Sequence, residues 1–398
     1  MKILFDKKGK KTIQFPLNAT QSSAVARKLA FNQSKKLILN EYTNDIQYGN
    51  YLYQYHNFES INGTLPHLIE GDYMFANYFY ADPSLKEVNV NLPQLTTGKY
   101  MFSDNKNLET AILNAPLITN ASHIFDGCES LKTLNINAPL LKNASNMLEG
   151  CKSLEHADLS LCGNGELTNI QRLFYNCHNL KSFVLNTEEV KSASSAFAHC
   201  ESLENVSVDF SKVSGASYMF SDCKNLTTCS IVLGEATDIE GMFRNCSNLK
   251  IINGDLSKIK LTPSTNPFEG CHSLHTFNSD LTTLEHGTQF FYDCRSLSNF
   301  TGKLSNLRYG GDMFKRCVLN YDSVVNILSS ILIENQYVAS SNVAPSSLTL
   351  GIDKNYMGDV INYLSQQGMS VSSSTDDNMV VTTSSQAGNP WTIYINWN

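Results

Sequence analysis

The chain has 398 residues, of which 42% are hydrophobic and 17% charged, and its formal net charge is −7. This composition excludes global disorder, and the acidic balance gives no electrostatic reason to bind nucleic acid or an anionic membrane surface. No run of about 18 apolar residues occurs, so no membrane insertion is expected.

Residues 1–70 stand outside the periodic pattern that follows. KILFD and TIQFPL read as two strands of a hairpin around KKGKK, and SSAVARKLAFN reads as a short helix. The basic N-terminus lacks the apolar core of about 7–15 residues that a secretory signal carries, so a cleaved export signal is not expected. The stretch YGNYLYQYHNF then places Tyr51, Tyr53 and Tyr55 close together. Two readings are open for these rings: a terminal cap lying on the first unit of the array that follows, or an aromatic platform for a sugar or a protein partner.

From residue 71 to 320 the sequence repeats. Phe79, Phe102, Phe125, Leu148, Phe174, Phe197, Phe220, Phe243, Phe268, Phe291 and Phe314 follow one another at 23 residues, except for one interval of 26 and one of 25. The longer intervals place insertions around Cys162–Glu166 and Leu261–Thr265. Counting each anchor as zero, position three is Cys in nine coils, from Cys128 to Cys317, and Asp82 and Asn105 fill it in the first two. Position six is Leu, positions nine and eleven are mostly apolar (Val88 and Val90, Leu134 and Ile136), and position nineteen is small (Gly98, Ala121, Ala144). Apolar residues two apart mark a strand with one buried face. A unit of 23 residues cannot bury a core alone, whereas stacked units cover one another's apolar rows.

Residues 321–398 change character. DSVVNILSSIL has helical spacing. SSLTLGIDKNYMGDVINYLSQQGMSV reads strand, helix, strand, with Asp353 as N-cap, and DNMVVTTS and WTIYINW read as strands. Trp391, Ile393, Ile395 and Trp397 share one face of the last strand, so this region is expected to form a small α/β cap.

The motif M-F-x-x-C-x-x-L, followed by a short strand, a small residue and the next M-F, resembles the BspA-type bacterial leucine-rich repeats over roughly residues 71–320. The resemblance implies a leucine-rich-repeat solenoid with one short parallel strand per 23-residue coil, an N-terminal capping region (1–70) and a C-terminal α/β domain (321–398). Proteins with similar repeats are surface adhesins of bacteria and protozoa, and also phage and prophage structural proteins. The C-terminal segment is similar to those of repeat proteins in phage tail regions.

Three groups are candidates for chemistry. The cysteine column reads as buried free thiols; disulfides between adjacent coils or a metal row are the alternatives, but no C-x-x-C occurs and one straight column cannot surround an ion. The nine His are scattered, and no H-E-x-x-H, P-loop, G-x-S-x-G or dinucleotide fingerprint is present, so a non-catalytic chain without cofactor is expected. The outward strand positions carry short amides, hydroxyls and carboxylates. Asn89, Asn114, Asn135, Asn137, Asp158, Asn186, Ser207 and Asp209 are the candidate binding face, suited to hydroxyl-rich ligands or a polar protein, unless the face is only kept polar for solubility. The expected role is a binding or structural module of a bacteriophage virion, at the tail or another exposed part. Its partners would be other virion proteins and/or a host-surface glycan or protein, with a homo-oligomer possible. A bacterial cell-surface adhesin is the alternative.

Overall fold

The computed structural model describes residues 2–5, 11–14, 36–39, 46–54, 58–77, 84–234, 236–254, 256–257, 259, 266–334, 347–367, 369–374, 378–382 and 392–397. The chain divides into two compact units, Met1–Val190 and Lys191–Asn398.

In the first unit the expected N-terminal hairpin is present, with β1 (Lys2–Phe5) antiparallel to β2 (Lys11–Gln14). The expected helix SSAVARKLAFN lies outside the described residues. A five-stranded parallel sheet follows in chain order: β3 (Lys36–Leu39), β4 (Ser60–Thr64), β5 (Glu87–Asn91), β6 (Thr110–Asn114) and β7 (Thr133–Asn137). β8 (His156–Asp158) pairs in parallel with β9 (Ser182–Val184). The register Val88↔Ala111↔Leu134 advances 23 residues per strand, so the apolar residues of successive coils meet on one face. Val88, Val90, Ala111, Leu113 and Ile136 are buried, while Asn89, Ile112 and Asn135 between them point outward. This is the β-solenoid that the period requires.

The anchor turn is built twice per coil from left-handed backbone, two residues before and two residues after the anchor. Around Phe102 these are Tyr100 (φ 55°) and Asp104 (φ 58°); around Phe125 they are His123 (φ 57°) and Gly127 (φ 73°). No residue with positive φ is β-branched, as sterics at the left-handed position demand. The anchor amides tie coil to coil, Phe102 N–H to Ile124 O at 2.9 Å and Phe125 N–H to Met147 O at 3.0 Å. Their rings stack, Phe75 on Phe102 at 5.4 Å and Phe102 on Phe125 at 5.5 Å, all fully buried.

Phe75, not Phe79, therefore holds the first anchor place of the array. Phe79 and Asp82 lie outside the described residues. The coil between Phe75 and Phe102 is four residues longer than the period, so counting back by 23 lands four residues late. Tyr53 stacks on Phe75 in turn (5.4 Å, 1° between planes), so the coil geometry already runs through residues 46–77.

The second unit repeats the plan. β10 (Asn205–Phe210), β11 (Thr228–Leu233) and β12 (Ile251–Asn253) form one parallel sheet, and β13 (Thr276–Phe277) pairs with β14 (Asn299–Phe300). Phe197, Phe220, Phe243, Phe268, Phe291 and Phe314 stack in sequence at 5.1–5.5 Å. The unit ends in a mixed sheet ordered β15 (Gly310–Leu319), β16 (Ser347–Ile352), β19 (Thr392–Trp397), β18 (Asn378–Thr382), β17 (Ser370–Ser374), with helices Tyr321–Glu334 and Met357–Gln366. A side chain at Gly351 would meet the carbonyls of Phe314 and Cys317 at 2.6 Å, so only glycine lets β16 lie this close to the bulged β15. Asp353 caps as expected: its carboxylate accepts from Asn355 N–H at 2.9 Å, at the 3-10 turn before the second helix. Ile393, Ile395 and Trp397 are buried together; Trp391 lies outside the described residues.

Candidate functional site

The thiol column is an internal hydrogen-bond row. Each of eight cysteine S–H groups donates to the carbonyl of the preceding coil's anchor. Cys128 reaches Phe102 O at 3.3 Å and Cys151 reaches Phe125 O at 3.4 Å, while Cys223 reaches Phe197 O at 3.1 Å and Cys246 reaches Phe220 O at 3.0 Å. The anchor carbonyl has no other place to go, so position three needs a small donor. Asn105 fills the role with its amide, donating to Phe75 O and Phe102 O at 2.9 Å each. It is fully buried rather than wet, and its Oδ1 has no partner. All eleven cysteines are unpaired and buried. Burial pushes their thiols up, Cys162 and Cys229 to about 12. Among the described residues no group of three or more His, Cys, Asp or Glu is placed to hold a metal ion. No helix among them is long and apolar enough to cross a membrane.

The aromatic candidates separate. Tyr53 is only 6% exposed and serves as an anchor inside the coil, so it is not open to a ligand. Its hydroxyl is pushed up to about 12 by burial. Tyr55 lies outside the described residues. Tyr51 is exposed and begins a ladder the sequence reading missed: Tyr51 on Tyr73 and Tyr73 on Tyr100 at 4.7 Å, then Tyr100 on His123 at 4.1 Å. Each inner ring is covered on both faces, so the ladder presents edges, whereas sugar stacking needs an open face. The ladder holds coils together at the left-handed position. Its signal was in the sequence as four rings two residues before successive anchors.

The outward strand residues also separate. Asn114 and Asn137 form an amide ladder, Asn114 Nδ2 to Asn91 Oδ1 at 2.7 Å and Asn137 Nδ2 to Asn114 Oδ1 at 2.6 Å; both are half-buried and engaged in joining coils. Asp158, Asn186 and Asp209 are exposed, each with one side-chain oxygen accepting the backbone N–H two residues on (Ser160, Glu188 and Ser211, at 2.9–3.1 Å). That bond holds the Asp158 carboxyl below its usual range, with desolvation opposing. Asn89, Asn135 and Ser207 are exposed on their strand faces. The registers Asn89↔Ile112↔Asn135 and Asp158↔Val184 interleave exposed apolar residues that the sequence reading left out.

Beside the strands, position seven carries a second column. In the first unit it alternates Lys86, Glu109, Lys132, Glu155, Lys181, with Lys132 to Glu109 at 3.4 Å and Lys181 to Glu155 at 2.7 Å. In the second unit it reads Glu204, Thr227, Lys250, His275, Ser298, and the alternation stops.

The sheet is interrupted beside each over-long coil. Among the described residues no backbone hydrogen bond joins β7 to β8, although Ser153 N–H to Glu129 O and Ala138 N–H to Leu161 O, both 3.0 Å, close the gap on either side. Likewise none joins Lys250–Asn253 to His275–Asn278, while Lys250 N–H reaches Thr227 O at 2.9 Å one coil earlier and Ser298 N–H reaches His275 O at 3.2 Å one coil later. The second opening is an outward groove of about 620 Å³.

Structures similar to the chain include a leucine-rich repeat protein from Bacteroides ovatus, at 17% identity over 81% of this chain and 89% of that one, TM-score 0.40. A leucine rich cell surface protein from Faecalibacterium prausnitzii is 14% identical over 82% of this chain and 95% of that one, TM-score 0.34. A leucine-rich repeat protein from Eubacterium ventriosum is 15% identical over 74% and 80%, TM-score 0.32. No curated protein matches the chain significantly. The family model for the BspA type leucine rich repeat region matches residues 72–172, 164–262 and 237–342, more than half of the sequence and the stretch in which anchor, thiol and strand recur. The chain belongs to the BspA-type leucine-rich-repeat family.

Proposed function

We propose that the chain is a non-catalytic binding module of a bacteriophage particle, presenting its outward strand positions to the host surface or to neighbouring particle proteins. The observation that carries the binding reading is the division of labour on the strands. The inward residues and the Asn91–Asn114–Asn137 ladder hold the coils together, whereas Asn89, Asn135 and Ser207 project from a rigid register without a bond that the fold uses. Such pre-positioned polar groups bind with little ordering cost. The particle reading is supported by the thiols. Eleven reduced cysteines, most of them donating a hydrogen bond to a backbone carbonyl, suit assembly in a reducing cytosol and release by lysis.

Mass spectrometry of purified phage particles from the host that carries this gene is expected to find the chain. Its absence from particles, with recovery from the cell envelope, contradicts the particle reading and favours the surface adhesin. Replacing Asn135 and Asp158 together by Lys is expected to weaken capture of host-envelope fragments without unfolding the chain; unchanged capture removes that face. Under denaturant without reductant, all eleven thiols are expected to react with a thiol reagent. Eight or more found already paired would mark an oxidised, exported protein.

A further inference from the structure

The groove between Ile251–Asn253 and Thr276–Asn278 has no task in the coil core. Its floor is backbone that the neighbouring coils would normally pair: the amides of His275 and Thr276 face the carbonyl of Lys250 with no hydrogen bond between them. Its walls are polar, with Asn253, Ser273 and Asn278 beside the exposed Ile251 (50% exposed). Lys250 stands at the rim without an ion pair among the described residues, in the coil position where Lys132 and Lys181 each hold a glutamate. His275 Nδ1 lies 2.7 Å from Ser296 O, a carbonyl that can only accept, so Nδ1 carries the proton. In the neutral ring Nε2 is then an acceptor. Asn253 gives its amide hydrogen to Ser230 Oγ at 3.2 Å, leaving its carbonyl oxygen as a second acceptor.

We infer that this groove binds a carboxylated sugar, a hexuronate residue within an oligosaccharide. The unpaired Lys250 ammonium meets the carboxylate. His275 Nε2 and Asn253 Oδ1 accept from ring hydroxyls, while Ser273, Asn278 and the free backbone amides donate. Ile251 lies against the C–H face of the pyranose. A neutral sugar would leave the lysine unanswered, and an apolar ligand would leave the backbone groups dry. The volume is within the usual range of small-ligand sites. The inference rests on the reading of the chain as a binding module and names a ligand class for it.

The test is titration of the full chain with tri-galacturonate, with maltotriose as the neutral control. Saturable binding of tri-galacturonate alone is expected. Lys250→Gln is expected to weaken it at least about tenfold, in line with the loss of a charged hydrogen bond. Lys132→Gln, the same residue at the same coil position in the first unit, is expected to leave it unchanged. No saturable binding, equal binding of maltotriose, or equal losses in the two variants would overturn the proposal. If tri-galacturonate fails while host-envelope capture persists, only the ligand assignment falls; if both fail, the binding reading falls with it.

Discussion

The chain opens its strand sheet twice, between β7 and β8 in the first unit and between β12 and β13 in the second. Both openings lie beside a coil longer than 23 residues, and both leave backbone groups without their coil-to-coil partners. What differs is the side chains around them. At the first opening Lys132 and Glu155 are each neutralised by a neighbouring coil, Glu109 and Lys181 respectively. At the second, Lys250 has no counter-charge among the described residues, and His275, Asn253 and Asn278 gather beside it. The same repeat rule thus builds a closed surface in one place and a receptive one in the other. In a solenoid the core repeats from coil to coil, and specificity arises where an outward column falls out of step.

If that is right, the two units share one core and should fail together when the core is attacked. The largest effect is expected from alkali. Buried thiols in both units have their pKa pushed above the ordinary value of 9.0, from Cys128 to Cys317. Between the unfolded and the folded pKa the folded chain holds more protons, so stability falls as pH rises through 9. Each such thiol contributes roughly 1.4 kcal/mol per pH unit there. Circular dichroism against pH is expected to show cooperative loss of structure above pH 9 that thiol-to-alanine variants displace. Thiols of one unit reacting at neutral pH in the folded chain would break the shared-core half of the comparison. Next in size, Phe102→Ala and Phe220→Ala are each expected to cost about 3–5 kcal/mol by denaturant titration, because each removes a fully buried ring from a stack. A markedly smaller cost in one unit would show a looser core there.

Position three gives a finer contrast. Asn105→Ala removes the donor to two buried carbonyls and is expected to cost about 1–3 kcal/mol. Asn105→Cys is expected to change stability by under about 1 kcal/mol, because a thiol serves Phe75 O as Cys128 serves Phe102 O and the orphaned Asn105 Oδ1 disappears. Equal costs for the two variants would contradict the donor role. Smallest are the surface columns. Asn114→Ala is expected to cost about 1 kcal/mol, and Lys132→Gln at most about 0.5 kcal/mol, both by thermal melting. Lys250→Gln is expected to cost nothing measurable. A lysine at 250 that matters to folding would mean that it has a partner after all.

Much of this architecture was legible in the sequence because it rests on spacing. Cys128 to Cys317 recur at fixed distance from the anchors, and inward residues such as Val88 and Val90 lie two apart; both patterns dictate burial whatever the neighbours are. The first anchor was misplaced because the insertion before Leu85 hides in a stretch rich in aromatic residues, where Phe79 matches the period as well as Phe75 does. Tyr53 looked like a surface ring because tyrosine suits either side, and only its stack on Phe75 decides. Asn114 and Asn137 looked like ligand-binding amides because a ladder between equal residues 23 apart is invisible until register is known. The groove left one trace, the lapse of Lys–Glu alternation at Lys250. Its other half, the interruption of backbone pairing, depends on how an over-long coil is accommodated, which spacing does not encode.

The comparison stands on the interruption being real, and amide hydrogen exchange reads it directly. His275 and Thr276 at the second opening can be compared with Ser298 and Asn299 one coil later, whose amides both reach His275 O. The account predicts that the first pair exchanges orders of magnitude faster than the second, while the flanking Ser273 amide, bonded to Ser247 O at 3.1 Å, stays protected. Equal protection of the two pairs would mean the sheet runs unbroken past Lys250, and would contradict it.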